Sequence, residues 1–259
     1  RRRLAERSPG RTVGLRINPA LGTGYGSSEL LRYAGEKTTK FGIYKEQFAE
    51  TLALVRELGL PVRRIHFHTG CGYLDAQLEA WERVLAGCLE FINQVPDLEQ
   101  VNIGGGLGVR HTPQDGTLDL ERWAGIIKRT FAGRDFQVVA EPGDRIAKDA
   151  GLLVLEVNTV EKKKNSTIVG VNGGFNLAVE PVRYGLHFEP VPCLLKPGAL
   201  QPVTIAGNIN EALDVWVEDF PFPPVAEGDL LAILNAGAYS TAMASNHCVR
   251  GLLSERLLF

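Results

Sequence analysis

Gln100-Val101-Asn102-Ile103-Gly104-Gly105-Gly106-Leu107-Gly108 reads as a short β-rich run that dissolves into glycine, and it has a counterpart on either side. Upstream, Arg64-Ile65-His66-Phe67-His68 runs into Thr69-Gly70. Downstream, Phe136-Gln137-Val138-Val139-Ala140 runs into Glu141-Pro142-Gly143-Asp144. From Ile65 to Ile103 and from Ile103 to Val139 the steps are 38 and 36 residues. The intervening stretches carry apolar residues at helical steps: Leu78, Trp81, Val84, Leu85, Cys88, Phe91 and Ile92 between Gln77 and Asn93, then Trp123, Ile126 and Ile127 between Leu118 and Phe131. An earlier pair fits the same pattern, with the run Val13 to Asn18 followed by Phe48, Leu52, Val55 and Leu58 within Tyr44 to Leu60. A β-then-α step repeated at this size predicts consecutive units of a parallel sheet or of a (β/α)8 barrel. In a barrel the C-terminal strand ends carry the functional groups, so the three polar or glycine-rich clusters predict one shared cleft.

After Gly151 helical periodicity fades. Leu152 to Val160, Thr167 to Val171, Gln201 to Ala206 and Asp229 to Asn235 are short β-rich runs between turns such as Lys196-Pro197-Gly198 and Pro221-Phe222-Pro223-Pro224. The expected organisation is therefore an α/β barrel portion over residues 1–150 and a mostly β domain over 151–259. The charge run Glu161 to Lys164 reads as a solvated hairpin end.

Of 259 residues, 44% are hydrophobic and 22% charged, with 28 Lys and Arg against 30 Asp and Glu, for a formal charge of -2. That balance argues against a nucleic-acid binder, which needs a basic face for phosphates. No stretch reaches the ~18 apolar residues of a membrane span, and Arg1-Arg2-Arg3 is not followed by the apolar core of a signal peptide. A cytoplasmic protein is the expectation. Cys71, Cys88, Cys193 and Cys248 form no CxxC pair, so they read as reduced thiols and no metal site is expected. The first residues read as the tail of a helix.

Singly, the candidate functional residues are ambiguous. Glycines at a strand–helix junction let backbone N–H groups approach a phosphate, yet such turns also occur without a ligand. His68 suits a functional imidazole or a satisfied structural one, Glu141 an active carboxylate or a rim cap, and Tyr239 a ligand contact or a core ring. Their order along the chain is more specific. Thr39-Lys40-Phe41-Gly42-Ile43, His68-Thr69-Gly70, Asn102 to Gly108, Glu141-Pro142-Gly143, Asn172-Gly173-Gly174, Gly237-Ala238-Tyr239-Ser240 and Met243-Ala244-Ser245-Asn246 follow one another. This series resembles the fold-type III pyridoxal-phosphate decarboxylases, the ornithine, diaminopimelate and arginine decarboxylase family, most closely its diaminopimelate branch.

The resemblance runs from Val13 to about Arg250. It implies a (β/α)8 barrel that holds pyridoxal 5'-phosphate, a β domain, a carboxy-lyase activity on an amino acid, and a homodimer with shared active sites. By the same resemblance His68 stacks on the cofactor ring, Gly104, Gly105 and Gly106 wrap its phosphate, Glu141 pairs with the ring nitrogen and Tyr239 contacts the phosphate. Cys71 stands where the family commonly has Ser, a better hydrogen-bond donor than a thiol. The family's Schiff-base lysine lies in a Tyr-x-x-Lys-Ala-Asn run on the first barrel strand, and no such run occurs here. The expectation is thus a chain that starts partway round the barrel, without its N-terminal half.

Three positions depart from the family. Asp144 and Glu180 stand where diaminopimelate decarboxylases have arginines that, with a tyrosine matched by Tyr184, resemble a clamp for the substrate's distal carboxylate. Two acids repel a carboxylate, so the resemblance implies a substrate with a cationic distal end, such as lysine or ornithine, or one whose distal carboxylate is masked. Arg145 or Arg183 could instead swing in and restore a clamp for diaminopimelate. Asn210 replaces the cysteine thought to return the proton to the α-carbon, which leaves Cys248 or His247 as candidate donors, while Glu211 keeps the acid facing a distal amine. Alternative functions are a non-catalytic homologue that binds or regulates an active partner, and a racemase.

Overall fold

The computed structural model describes residues 6–7, 10–25, 29–35, 37–251 and 253–258; the helix tail read at Arg1 lies outside them. The chain divides into two compact units, residues 1–109 with 116–143, and residues 110–115 with 144–259.

The first unit alternates strand and helix: β1 (Val13–Arg16), α1 (Lys45–Glu57), β2 (Val62–His66), α2 (Leu78–Ile92), β3 (Gln100–Asn102), α3 (Leu120–Thr130) and β4 (Gln137–Val139). The four strands pair in parallel in the order β1-β2-β3-β4. Each new strand joins the same edge, so the sheet winds one way, as an arc of a barrel does; a doubly wound sheet would reverse its order. The expected barrel units are therefore present.

The helices form where apolar spacing put them. α2 buries Leu78, Trp81, Val84, Leu85, Cys88, Phe91 and Ile92, the seven residues of its predicted stripe. α3 starts at Asp119, whose carboxylate accepts the Arg122 N–H at 2.9 Å and so satisfies one of the amides a helix start leaves unpaired. These helices and the sheet enclose one core that contains Phe48, Ile65, Phe67, Trp81, Leu85, Val101 and Ile126.

The second unit is built on six strands: β5 (Leu153–Lys163), β6 (Ser166–Val171), β7 (Pro190–Pro192), β8 (Gln201–Ala206), β9 (Val215–Phe222) and β10 (Leu230–Ile233). Their order is β7-β10-β5-β6-β8-β9. Two short helices, α4 (Asp144–Ala147) and α5 (Glu180–Tyr184), belong to the same unit. In β5, Leu153, Leu155 and Val157 are buried and alternate with exposed residues, the period of a strand with one covered face. Beyond them the hairpin tip turns at Lys164, with φ +50°, among exposed charges as expected. β9 escapes the sequence reading because Glu218, Asp219 and Pro221 interrupt its alternation. It is an edge strand of its sheet, and a proline is tolerated there because one side of an edge strand needs no ladder donors.

Asp214, 4% exposed, organises one end of this unit. Its carboxylate accepts the N–H groups of Phe175 at 2.7 Å and Ile209 at 2.6 Å. Gly174 and Gly207 pack so closely on it that an added Cβ would lie 2.4 and 2.3 Å from its oxygen. Among the described residues no helix is long and apolar enough to cross a membrane. Replacing Asp214 by Ala should strand two N–H groups and lower unfolding free energy by about 2–6 kcal/mol, at about 1–3 kcal/mol for each unsatisfied buried group. Urea denaturation followed by tryptophan fluorescence measures it, and Trp216 reports on the unit directly.

Candidate active site

In the first unit, strand register decides which side chains meet. Arg16, His66, Asn102 and Val139 are successive partners across the parallel sheet. They form one row at the C-terminal ends, and the chain leaving β4 brings Glu141 to the same place. The Asn102 side-chain amide donates to Glu141 Oε1 at 2.7 Å, and His66 Nε2 lies 3.9 Å from Oε2. The Glu141 side chain is 58% exposed. Arg16 lies with its guanidinium 4.6 Å from the Phe41 ring centroid. Burial pulls the Arg16 pKa down, while the charge of Glu141 and the Tyr33 hydroxyl push it up.

His68 sits two residues further along the β2 chain. Its Nδ1 accepts the Gly105 N–H at 3.3 Å, so the neutral ring carries its proton on Nε2, which points at Cys71 Sγ 3.6 Å away. The Tyr33 ring covers one face at a centroid distance of 4.9 Å. Burial, then the charges of Arg16 and His66, hold the His68 pKa down at about 4, against a smaller upward pull from Glu141. At neutral pH the ring is uncharged.

The glycine run is a cradle that side chains would fill. A Cβ on Gly104 would lie 2.4 Å from the Phe67 carbonyl, one on Gly105 2.3 Å from the Glu141 carbonyl, and one on Gly106 2.4 Å from the Gly70 carbonyl. Gly104 and Gly106 also have φ of +71° and +108°, which L residues rarely adopt. The Gly104 N–H is held by Asn102 Oδ1 at 2.9 Å, and its carbonyl accepts the Glu141 N–H at 2.8 Å. Exposed carboxylate, neutral imidazole and glycine run together fit a pyridoxal phosphate: an acid for the ring nitrogen, a flat group for the ring face, and backbone bare of side chains for the phosphate.

The remaining predicted residues lie in the second unit. Tyr239 is 43% exposed and has φ +57°. Its segment is tied back by the Gly237 N–H to the Lys148 carbonyl and the Ala236 N–H to the Gly151 carbonyl, both 2.9 Å. The Arg183 guanidinium lies 5.8 Å from the Tyr184 ring centroid, and Arg145 is exposed. His247 Nε2 lies 3.4 Å from Glu211 Oε1, with the Phe175 ring edge-on at 5.3 Å. Asn176, buried, donates to the carbonyls of Ser245 and Arg250 and closes the loop that carries His247 and Cys248.

Asp144 and Glu180 take a place that the sequence reading did not anticipate. Both are buried, and the fully buried Lys148 ammonium lies 3.5 Å from Asp144 Oδ2 and 2.7 Å from Glu180 Oε2. The Phe188 ring centroid lies 5.6 Å from the same nitrogen. Burial pushes the Glu180 carboxyl up, Lys148 pulls it down, and Asp144 adds a smaller upward push. The two acids thus have an internal counter-ion, which accounts for their standing together. Asp144 and Lys148 are four residues apart, the helical spacing at which opposite charges meet, and that was the available signal. Arg16 and Asn102 were also missed, because only the register shows that they share a row with His66. Among the described residues no group of three metal-ligating side chains comes together.

Two outcomes follow from these charges. The folded-state pKa of His68 lies below its ordinary value of 6.5, so its contribution to stability is present above pH 6.5 and is lost as pH falls towards about 4. His66 and His111 are shifted the same way, chiefly by burial, and add to this acid sensitivity. A His68→Gln variant should show a shallower loss between pH 6.5 and 4 in urea titrations. Lys148→Met should destabilise by about 3–5 kcal/mol, because it removes the buried ammonium that Asp144 and Glu180 face. The cost should be larger at pH 8 than at pH 5, where the raised Glu180 carboxyl can take up a proton; melting temperatures at the two values check it.

Residues 33–237 match the family described as pyridoxal-dependent decarboxylase, C-terminal sheet domain. A diaminopimelate decarboxylase of Methanothermobacter thermautotrophicus is 33% identical across 99% of the chain. The Escherichia coli K12 enzyme of the same name is 30% identical across 98%. The chain spans 62% and 64% of the length of these two relatives. Among solved structures, diaminopimelate decarboxylase from Helicobacter pylori complexed with L-lysine superposes with a TM-score of 0.82 at 28% identity, covering 96% of this chain and 62% of that one.

Proposed function

The chain belongs to the pyridoxal-dependent decarboxylases, and on that premise we propose that it catalyses removal of the α-carboxylate of an amino acid as CO2. The observation that carries this reading is the Glu141 carboxylate, exposed and oriented by Asn102 at the level of the glycine cradle. When bound, pyridoxal phosphate supplies the electron sink for the bond that breaks.

The chain's own residues supply position and charge. Glu141 would hold a proton at the cofactor's ring nitrogen, since an anionic partner favours the protonated form of a base. His68, neutral at working pH, would cover the ring face and keep water from it. Gly104, Gly105 and Gly106 would admit the phosphate against backbone, with Tyr239 as a hydroxyl donor and Cys71 as a weaker thiol contact. In this reading residues 1–150 hold most of the cofactor, and residues 151–259 add Tyr239 and the substrate contacts.

For the substrate we infer an amino acid with a distal amine, lysine, ornithine or diaminopimelate. Glu211 is the exposed acid that would meet that amine, with Tyr184 also toward the substrate's distal end. Asp144 and Glu180, engaged by Lys148, would act through the field of their buried cluster rather than by direct contact. The names of the relatives, diaminopimelate decarboxylases, support the same class. A homodimer with shared sites is part of this proposal.

The test is release of CO2 from each candidate by the purified full-length protein with pyridoxal phosphate. Glu141→Ala should lower turnover by about a hundredfold or more, the usual loss when a group that stabilises developing charge is removed. Absence of cofactor absorbance and of CO2 release from every candidate would turn the reading toward a non-catalytic binding homologue. Loss of substrate chirality without loss of carbon would turn it toward racemisation.

A further inference from the structure

Asn102 touches both ends of the cradle. Its Nδ2 donates to Glu141 Oε1 at 2.7 Å, while its Oδ1 accepts the Gly104 N–H at 2.9 Å. Only an amide of this length offers a donor and an acceptor to two such partners at once, since aspartate lacks the donor and leucine lacks both. The partners are otherwise linked by one backbone contact, Glu141 N–H to the Gly104 carbonyl at 2.8 Å. The Gly105 N–H in turn goes to His68 Nδ1, so the loop that Asn102 restrains also sets the tautomer of the ring-covering histidine.

Glu141 needs such a restraint. It lies beyond the end of β4, its side chain is 58% exposed, and His66 at 3.9 Å is too far to hydrogen-bond it. With Oε1 occupied by Asn102, Oε2 is the oxygen left to face a ligand.

We propose that Asn102 is a positioning residue that couples the orientation of Glu141 to the conformation of the Gly104–Gly106 loop, so that the carboxylate and the phosphate cradle are set together. This rests on the pyridoxal-phosphate reading given above. No step of bond making passes through Asn102; it acts by holding one carboxylate oxygen and one backbone amide.

The experiment exchanges donor and acceptor. Asn102→Asp keeps the acceptor for Gly104 but sets a second carboxylate against Glu141. Combined with Glu141→Gln, the donor is supplied from the other side and the hydrogen bond reforms in the opposite sense. Cofactor affinity, measured by titrating pyridoxal phosphate against the fluorescence and absorbance of the protein, should weaken about tenfold or more in Asn102→Asp, as expected for loss of a hydrogen bond to a charged group. In the Glu141→Gln background the same change should cost less than about threefold, because the bond is restored. Melting temperature without cofactor should follow the same pattern, and turnover should stay low in the double variant because position 141 no longer holds a carboxylate.

If Asn102→Asp costs the same in both backgrounds, or leaves affinity and melting temperature unchanged, the coupling is wrong. A wild-type protein that does not bind pyridoxal phosphate refutes the cofactor reading itself. The melting-temperature cycle then still decides whether Asn102 ties Glu141 to the loop.

Discussion

Four parallel strands in this protein must end level, and the site follows from that constraint. Inter-strand hydrogen bonds fix Arg16, His66, Asn102 and Val139 as partners. A slip of one residue in any strand would turn its side chains to the opposite face and disperse the row. Because the register holds, an arginine, a histidine and an amide from three separate helix-strand units converge on one carboxylate. The glycines after β3 let the chain pass within contact distance of the neighbouring strand ends, where any side chain would collide with carbonyl oxygens.

Charge is handled differently in the two units. At the strand ends of the first, burial and the neighbouring Arg16 keep His68 neutral, while Glu141 stays half open to solvent. A neutral imidazole beside an exposed carboxylate suits a site that receives a charged, flat ligand. In the second unit Lys148 is wholly buried between Asp144 and Glu180. Removing two acids and an ammonium from water is costly, and their mutual attraction repays it only in good geometry. The backbone of Lys148 also holds the segment that bears Tyr239, through its carbonyl and the Gly237 N–H. One residue thus balances the charge of α4 and α5 and anchors a predicted ligand contact.

Reading the chain residue by residue recovered much of this. The stripe of α2, the three strand ends, the glycine cradle and the charged tip of the β5–β6 hairpin were all legible, because each depends on local periodicity or on turn chemistry. β9 was not, since charges and a proline mask an edge strand's alternation. The roles of Arg16 and Asn102 were not legible either, because each is unremarkable among its own neighbours in sequence. The acids at 144 and 180 were noticed, but their partner Lys148, four residues from Asp144, was not.

By itself, the sequence determined the fold class, the succession of β and α elements and the family, since these rest on spacing and on the order of motifs. Only the tertiary structure decided which side chains act together. Backbone pairing sets the register that gathers Arg16, His66, Asn102 and Glu141, and burial determines that Asp144 and Glu180 must share a cation from within. Both effects arise between residues distant in the chain, where local pattern carries no information about distance.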